Sequence, residues 1–369
     1  MKYIDEFRNT AVAQKLAEKI SDCVRPKHVY KLMEFCGGHT HALHRYGLLD
    51  LLPKEIEMIH GPGCPVCVLP TNCIDTAIDL SKQPNSIFCS YADMLRIPGT
   101  DQHSLLKEKA QGADIRMVYS IDDALSIARK NPNKTIIFFA IGFETTTPPT
   151  AAALKTAKAE NIDNFYVYCN HVLTPVAMQA ILSVPGVAID GFIGPAHVST
   201  IIGYAAYAVV AKQFKKPIVI SGFEPLDLLQ SILQLVELIN SQSYAVENQF
   251  SRAVTAQGNK LANQYMAEVF EVRDNFEWRG LGMIEKSALK IKPEFSRFDA
   301  EQHFQSSGSK NEGHKACLCG PILCGLAKPF DCKLFETVCT PENPLGACMV
   351  SSEGACAAYY TYGRDGRRL

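Results

Sequence analysis

The sequence lacks an excess of charge of either sign. Its 369 residues include 37 Lys and Arg against 38 Asp and Glu, which gives a formal net charge of −1. Proteins that bind nucleic acid usually carry a basic patch or a block of like charges. Neither a basic excess nor an acidic tail is present, so nucleic acid is not an expected partner.

Long apolar runs are also missing. Residues 1–8 mix both charges and lack the apolar stretch of a signal peptide. The longest apolar run, at about Ile201–Ala211, is too short to cross a hydrocarbon layer of about 30 Å. We therefore expect a cytoplasmic protein with no membrane partner, whose thiols meet a reducing environment.

Two standard nucleotide-binding motifs are absent as well. The chain contains neither GxxxxGK[ST] nor GxGxxG. These glycine-rich loops hold phosphates at the N-terminus of a helix. Their absence disfavours nucleotide binding of those two kinds.

Cysteine, by contrast, is abundant, with 14 residues. In a long cytosolic chain, this many cysteines indicates metal ligation or redox chemistry rather than a disulfide framework. Seven lie within 317–356, and four lie early, at Cys36, Cys64, Cys67 and Cys73. The three isolated cysteines are interpreted as ordinary buried thiols: Cys23, Cys89 and Cys169.

Between about residues 31 and 240, short apolar runs alternate with helical periodicity. Runs as continuous as 136–141 are typical of strands buried on both faces of a parallel sheet. The predicted strands are Ile56–His60, Ser86–Ser90, Ile115–Tyr119, Thr135–Ile141, Phe165–Cys169, Ile189–Ile193 and Pro217–Ser221. The predicted helices between them are Asp122–Lys130, Thr150–Glu160, Pro175–Leu182 and Pro225–Asn240. This alternation predicts a doubly wound α/β fold.

The sequence also predicts how the chain divides. Gly-Phe-Glu follows one predicted strand at 142–144 and another at 222–224, which suggests two α/β lobes of related plan. We place these lobes at 31–130 and 131–240. The remaining segments, 1–30 and 241–369, are expected to form a mostly helical and irregular iron–sulfur domain. Within it, Glu247–Glu271 is predicted to be one long helix.

Unusual polar residues follow several of the predicted strands. Ligand sites in open α/β sheets lie at the carboxyl ends of the strands. Four segments occupy such positions and are expected to share a cleft: His60–Cys67, Gly142–Pro148, Asn170–His171 and Gly194–His197.

The first of these segments contains a CxxC motif, Cys64-Pro65-Val66-Cys67, ahead of a helical stretch. A helix N-terminus lowers the pKa of a thiol, and the CxxC spacing permits a local disulfide. A redox role is therefore reasonable. The alternative is half of a zinc site, completed by Cys36, His39 and His41.

Residues 36–41 read CGGHTH and place Cys36, His39 and His41 within six positions. Paired glycines allow the backbone to fold tightly around a bound group. A lone histidine is more often a structural hydrogen-bonding residue, but three such side chains together favour a metal or cofactor site.

The segment GFETTTP at 142–148 has two interpretations. Thr before Pro is ordinary chemistry for the start of a helix. Alternatively, Glu144 and the three hydroxyls bind an anionic ligand or transfer protons, which makes Glu144 a candidate catalytic residue.

The C-terminal cysteines contain no paired CxxC half-sites, which zinc ribbons favour. Widely spaced thiolates suit a [4Fe–4S] cluster, and more thiols are present than four ligands require. Structural zinc remains the alternative. The cysteines are Cys317, Cys319, Cys324, Cys332, Cys339, Cys348 and Cys356.

Three motifs together, CGGHTH, GPGCPVC and GFETTTP, resemble the HypD family of hydrogenase maturation factors. The C-terminal run from Cys339 to Tyr360, which includes CMVSSEGACAAYY, is similar too. The resemblance covers essentially the whole chain. It implies a scaffold that assembles the Fe(CN)₂CO unit of [NiFe]-hydrogenases, in complex with a small HypC-type chaperone and a HypE-type cyanide donor. Such a protein is an assembly scaffold with redox-active cysteines rather than a simple turnover enzyme.

The resemblance also implies residue roles. Cys36 holds the iron jointly with a cysteine of the chaperone, and Cys64 and Cys67 form a nearby redox dithiol. We expect His39 and His41 to donate hydrogen bonds to cyanide nitrogens or to supply protons.

For the cluster, the resemblance is to ferredoxin–thioredoxin reductase, in which cluster ligands are interleaved with a second dithiol. The implied dithiol is Cys319 and Cys348, and Cys324 receives no role. The implied [4Fe–4S] ligands are Cys317, Cys332, Cys339 and Cys356.

Two other functions are consistent with part of the sequence. A cluster-dependent protein-disulfide oxidoreductase would use the CxxC motif and the cluster equally well, but it has no need of the His-flanked Cys36. A zinc-stabilised binding protein would be colourless and would contain zinc without sulfide.

Overall fold

In the computed structural model, which describes residues 4–306 and 314–363, the apolar runs form two separate parallel sheets. The strands are β1 (Tyr30–Glu34), β2 (Ile56–His60), β3 (Ser86–Ser90), β4 (Ile115–Met117), β5 (Thr135–Gly142), β6 (Phe165–His171), β7 (Gly191–Pro195), β8 (Ile218–Ser221), β9 (Val246–Asn248), β10 (Phe270–Val272), β11 (Asn275–Trp278), β12 (Gly282–Glu285) and β13 (Leu289–Ile291).

The helices connect these strands and cover the sheets. They are α1 (Thr10–Cys23), α2 (Gly37–Arg45), α3 (Pro65–Val68), α4 (Thr71–Ser81), α5 (Leu105–Ala110), α6 (Ile121–Lys130), α7 (Thr147–Ala159), α8 (Thr174–Leu182), α9 (Ala196–Ile202), α10 (Ala208–Phe214), α11 (Pro225–Asn240), α12 (Lys260–Val269), α13 (Ala300–His303), α14 (Cys319–Leu323) and α15 (Ala355–Tyr362). Short 3-10 helices lie at Asp5–Phe7, Leu48–Leu51, Asp93–Arg96, Thr100–Gln102, Tyr204–Tyr207, Pro293–Phe298, Pro329–Asp331 and Ala347–Met349.

The first sheet has the strand order β2-β1-β7-β8-β9, and the second has the order β4-β3-β5-β6. All pairings within both sheets are parallel. The predicted α/β class with parallel sheets is therefore confirmed. Each sheet takes strands from both 31–130 and 131–240, because the chain leaves the first sheet after β2 and returns to it at β7.

Three cores hold these layers together. Side chains from both sheets, such as Met33 of β1 and Phe139 of β5, meet in a central core that also includes the C-terminal cysteines. The outer face of the first sheet packs on α1 and α11. The outer face of the second sheet packs on α6 and α7.

In each sheet the strand order reverses at one point, and there a ligand can reach the carboxyl ends of the strands. In the first sheet, β1 and β7 are neighbours whose chain connections run to opposite sides. In the second sheet, β3 and β5 have the same relationship. The segments that follow these four strands are therefore the places to look for a site.

The prediction of one long helix at Glu247–Glu271 is wrong. Residues 246–248 form β9, which pairs with β8, and only Lys260–Val269 is helical. Gly258 has a φ of +65° and packs against the backbone of Ile201, and the side chain of Asn259 caps the helix that follows. A glycine in this conformation interrupts a helix, which is why α12 begins only after it.

Residues 241–369, which were expected to be mostly helical and irregular, also contain strands. Strands β10 and β13 pair antiparallel and pack beside the second sheet. Strands β11 and β12 also pair antiparallel, and they pack in the central core with the C-terminal cysteines. Residues 1–3, 307–313 and 364–369 of the predicted iron–sulfur domain lie outside the described residues. Among the helices within the described ranges, none is both long and apolar enough to span a bilayer.

Candidate functional site

Cys36 lies where the strand order of the first sheet reverses, between β1 and β7. It is the residue that precedes α2, two positions beyond the end of β1, and it is buried. Its thiol accepts backbone N–H groups from Gly38 and His39 in the first turn of the helix, which act to lower its pKa. Burial has the larger effect, and the carboxylates of Glu353 and Glu34 act in the same direction, so the pKa of the Cys36 thiol is raised overall. A cation bound to this sulfur would reverse that balance.

The loop that contains Cys64 meets the loop that contains Cys36. Strands β1 and β2 are parallel neighbours in which Glu34 pairs with His60, so their following loops leave the same edge of the sheet. Gly37 N donates to Gly63 O over 3.3 Å. A Cβ at Gly63 would lie 2.4 Å from Cys36 N, which leaves no space for a side chain.

Glu34 is a fully buried carboxylate beneath Cys36. Its Oε2 accepts the backbone N–H of Cys36 over 2.9 Å, and its Oε1 accepts the hydroxyl of Thr40 and the Nδ1 of His60, the latter at 2.8 Å. On the far side of its ring, His60 Nε2 lies 3.3 Å from His44 Nε2. This network fixes the start of α2, and with it the position of Cys36.

His39 is fully buried beside Cys36. Its Nε2 lies 3.0 Å from the carbonyl oxygen of Ser221, and burial lowers its pKa. A carbonyl oxygen only accepts, so Nε2 carries the proton and the neutral ring offers Nδ1 only as an acceptor. Nδ1 is buried without a hydrogen-bond partner. In this form His39 can accept a hydrogen bond from a bound group, whereas donating one from Nδ1 would require a second proton.

An aromatic wall completes this side of the site. The ring centroid of Phe223 lies 4.9 Å from that of His39 and 4.2 Å from that of His197, which follows β7. A Cβ at Gly38 would lie 2.7 Å from Phe223 Cε1, so a glycine is required there. Both Phe223 and His197 follow carboxyl ends of strands in the first sheet, as predicted for the segment Gly194–His197.

His41 points in a different direction. Residues two positions apart on a helix lie on nearly opposite faces. The His41 ring packs edge-on against Tyr362 of α15, with centroids 5.3 Å apart. Burial lowers the pKa of His41, and Arg45 adds to the shift. Of the two histidines, His39 contacts the Cys36 thiol through its backbone N–H, whereas the His41 side chain packs on α15.

Glu144 lies where the strand order of the second sheet reverses, two residues beyond the end of β5. Its carboxylate accepts the backbone N–H and the hydroxyl of Thr174, over 2.9 Å and 2.8 Å, and so caps the start of α8. Burial raises its pKa to about 7. Burial raises the pKa of the Tyr207 hydroxyl, and the charges of Glu144 and Cys36 add to the shift, so Tyr207 lies near both residues.

Two of the three threonines that follow Glu144 donate hydrogen bonds to the backbone, as does Thr150 in the next turn. Thr146 and Thr147 donate to the carbonyl oxygen of Phe143, and Thr150 donates to that of Thr146. Their hydroxyls therefore favour the helix-start interpretation over an anion site. His171, at the end of β6 in the second sheet, has its Nε2 3.0 Å from the hydroxyl of Thr150.

The C-terminal cysteines gather around one small cavity against the central core. All four cysteines implied as cluster ligands line it, together with one member of the implied dithiol: Cys317, Cys319, Cys332, Cys339 and Cys356. At about 10 Å³ it has room for roughly one water molecule, so a cluster would draw these thiols apart. Among the described residues, no three His, Cys, Asp or Glu side chains converge as ligands of one metal ion would.

The donor chemistry of this cavity fits an iron–sulfur cluster. Its polar atoms are thiols, and its other walls are apolar, including Ile322, Phe335 and Met349. A Cβ at Gly346 would lie 2.5 Å from Cys317 Sγ, so the backbone closely approaches the thiols. Leu345 N donates to Cys339 Sγ over 3.4 Å, a contact of the type that stabilises thiolate ligands. Cys324 does not line the cavity, and its thiol donates to Gly280 O over 3.7 Å.

A chain of thiol contacts joins this cavity to the CxxC motif. Cys348 accepts hydrogen bonds from Cys319, Cys356 and Cys67, which lower its pKa well below the ordinary value. Cys67 in turn contacts Cys64, and burial raises the pKa of Cys67. Cys348 therefore lies where the thiols of the cavity meet those of the CxxC motif. All 14 cysteines are unbridged in the structure.

Several residues of this site were not predicted from the sequence. Glu34 and Glu353 lie close to Cys36, and Tyr207 lies near both Cys36 and Glu144. His60, which bonds to Glu34, belongs to the segment His60–Cys67 that was expected at the cleft. Glu34 had a detectable signal, because a carboxylate at the end of an apolar strand, two residues before a cysteine, is unusual. Glu353 was quoted within the C-terminal motif, but its contact with Gly37 depends on packing over more than 300 residues.

Comparison with known proteins gives consistent matches along the chain. The model of the HypD family, described as the hydrogenase formation hypA family, matches residues 11–363. The chain is 57% identical over 370 residues to hydrogenase maturation factor HypD2 of Bradyrhizobium diazoefficiens, covering 99% of this chain and 97% of the relative. It is 55% identical to HypD of Azotobacter vinelandii and 56% identical to HypD of Cupriavidus necator, in each case covering 99% of this chain and 98% of the relative.

Proposed function

The chain belongs to the HypD family of hydrogenase maturation factors, and on that premise we propose that it is the scaffold on which the Fe(CN)₂CO unit of [NiFe]-hydrogenases is assembled. It would act in complex with a small HypC-type chaperone and receive cyanide from a HypE-type donor. The observation that carries this proposal is the continuous set of thiols from the C-terminal cavity to the CxxC motif, beside a separate buried Cys36.

Cys36 is the proposed protein ligand of the iron that is being assembled. Thiolate is a soft ligand suited to iron that carries cyanide and carbon monoxide. The first turn of α2 directs two N–H groups at this sulfur, and Glu34 holds the turn in place. The buried His39, in the first turn of the same helix, has an Nδ1 without a hydrogen-bond partner that is available as an acceptor.

The proposed resident cofactor is a [4Fe–4S] cluster, which would store and supply electrons. Its ligands would be the four cavity cysteines that the family resemblance implies: Cys317, Cys332, Cys339 and Cys356. Cys319 lines the same cavity and contacts Cys348, which supports assigning these two as the neighbouring dithiol.

The thiol contacts support reduction of a Cys64–Cys67 disulfide by exchange. The thiolate of Cys348 attacks Cys67, and a Cys348–Cys67 bond forms as Cys64 leaves as a thiolate. Cys319 then attacks Cys348, which releases Cys67 and forms a Cys319–Cys348 disulfide. Two electrons pass from one dithiol to the other, and no free oxidant is consumed. Cys348 is placed to attack first because it contacts Cys67 of the CxxC motif as well as Cys319.

A protein-disulfide oxidoreductase is the competing function. The cavity and the thiol chain serve it equally well, whereas the buried Cys36, held by Glu34 and flanked by His39, has no part in it. A zinc-stabilised binding protein would leave the contact between the two dithiols without a purpose.

Replacing Cys36 by Ala separates these functions. The variant should lose the iron unit and its infrared bands but keep the visible absorption, iron and sulfide of the cluster. Cys324→Ala is the matched control, because this buried cysteine lies outside the cavity and should retain both. Loss of cluster and iron unit together in Cys36→Ala would contradict the proposed division of roles.

A further inference from the structure

The turn between β11 and β12 lies against the cysteine cavity. Gly280, with a φ of +79°, packs so closely on Gly320 that a Cβ on it would lie 2.2 Å from the Cα of Gly320. Gly320 directly follows Cys319, which lines the cavity. The thiol of Cys324 donates to the carbonyl oxygen of Gly280 on the same turn. The residue beside Gly280 is therefore held at the edge of the proposed cluster site.

That residue is Arg279, and it is also tied to the CxxC segment. Its backbone N donates to Val68 O over 2.7 Å, and its Nε donates to Leu69 O over 2.8 Å. These carbonyl groups follow directly after Cys67. One arginine thus fixes the end of the redox helix α3 against the turn that borders the cavity.

One nitrogen of the guanidinium lacks a partner. Arg279 Nη2 is buried and has no hydrogen bond, and within the described residues Arg279 forms no ion pair with a carboxylate. A buried donor without a hydrogen-bond partner indicates a missing partner. Cys317, one of the cavity cysteines, lies within electrostatic reach of the Arg279 guanidinium.

We propose that Arg279 is a positioning residue whose positive charge raises the reduction potential of the cluster and fixes the cluster site against the CxxC segment. The inference rests on the proposed function, since it requires a cluster held by Cys317. Reduction adds negative charge to a thiolate-bound cluster, so a nearby cation stabilises the reduced state and raises the potential. The missing partner of Nη2 is then the anionic cluster with its thiolate ligands.

The test is a redox titration of the cluster in the full-length protein purified without oxygen, followed by visible absorption. Arg279→Gln removes the charge but retains an amide of similar reach, and Arg279→Lys retains the charge. We expect the midpoint potential to shift downward in Arg279→Gln and to stay near the wild-type value in Arg279→Lys. Arg297→Gln is the control, because it removes a half-exposed arginine that pairs with Asp163 on the outer side of the second sheet.

The possible results separate this inference from the proposed function. Wild-type protein without iron and sulfide would overturn the cluster and this inference together. A normal cluster with the wild-type potential in Arg279→Gln would overturn the role of Arg279 alone. Cluster loss in Arg279→Gln but not in Arg279→Lys would support the need for its charge. Cluster loss in both variants would reduce Arg279 to a structural anchor and overturn the proposal.

Discussion

His60 Nδ1 lies 2.8 Å from Oε1 of Glu34, and this pair joins the ends of β2 and β1 directly beneath Cys36. The same carboxylate accepts the backbone N–H of Cys36. Because adjacent parallel strands deliver these residues to one edge of the sheet, the geometry of the Cys36 site depends on a pairing between the ends of two strands.

Glu34→Gln is expected to lower the free energy of unfolding by about 1–3 kcal/mol. The amide group of Gln would face a donor at one of the positions where Glu34 now accepts, and a hydrogen bond to a charged group is worth roughly this amount. Chemical denaturation measures the loss. The control is Glu57→Gln, on β2, which removes a surface ion pair with Lys328 worth less than about 1 kcal/mol. Equal losses in the two variants would show that the Glu34 network has no special role in stability.

Glu144 makes a separate contribution to the pH dependence of stability. Its pKa is raised by burial from 4.5 to about 7, so the folded state favours the protonated form. Stability from this group is fully present below about pH 4.5 and is lost as the pH rises through about 7. Wild type should lose this contribution as the pH rises, whereas Glu144→Gln has no carboxyl group to ionise. The stability of the variant relative to wild type should therefore increase by about 3 kcal/mol across this interval. Denaturation at several pH values measures the difference, and a flat difference would contradict burial of the ionised group.

Gly38→Ala is expected to destabilise the protein despite the helix-forming tendency of alanine. A Cβ at this position would lie 2.7 Å from Phe223, whose ring is held between His39 and His197. Overpacking costs about 1–3 kcal/mol, against a gain of about 1 kcal/mol in helix propensity. Thermal unfolding checks the sign. In a Phe223→Leu background the same change should be neutral or stabilising, and an equal loss in both backgrounds would place the strain elsewhere.

The contact between Cys67 and Cys348 can be trapped covalently. In a Cys64→Ser, Cys319→Ser double variant, each of these two thiols has lost its dithiol partner, so treatment with diamide should join Cys67 to Cys348. Peptide mass spectrometry identifies the linked fragments. Wild-type protein provides the reference, in which Cys64 and Cys67 should pair. Absence of the linked peptide under conditions that oxidise the wild-type pair would contradict direct exchange between the two dithiols.

The sequence predicted those elements whose pattern is local. Strands β2 and β3 and helix α11 have the predicted bounds, because short apolar segments and a Pro at the helix start mark them without tertiary information. The sheet to which each strand belongs was not predictable, since strands of both sheets have the same apolar composition. The error at 247–271 has a similar origin, because apolar residues at helical spacing masked the short strand β9 and the turn at Gly258.

The candidate site shows the same division. Cys36 and the CxxC motif stand out in the sequence because thiols next to glycines and histidines are chemically unusual. Arg279 and Glu353 carry no such local signal, since each reaches the site only through contacts between distant segments. His39 was expected to donate to a bound ligand, and only its contact with Ser221 O reveals which ring nitrogen carries the proton.

The most direct test of the scaffold proposal is the infrared spectrum of protein purified without oxygen together with its small chaperone. Cyanide and carbonyl ligands of iron absorb between the amide and C–H regions, where proteins are nearly silent. We predict bands of both kinds that disappear in Cys36→Ala. A silent spectrum from a sample shown to contain the intact cluster and the chaperone would contradict the scaffold function and favour the disulfide oxidoreductase.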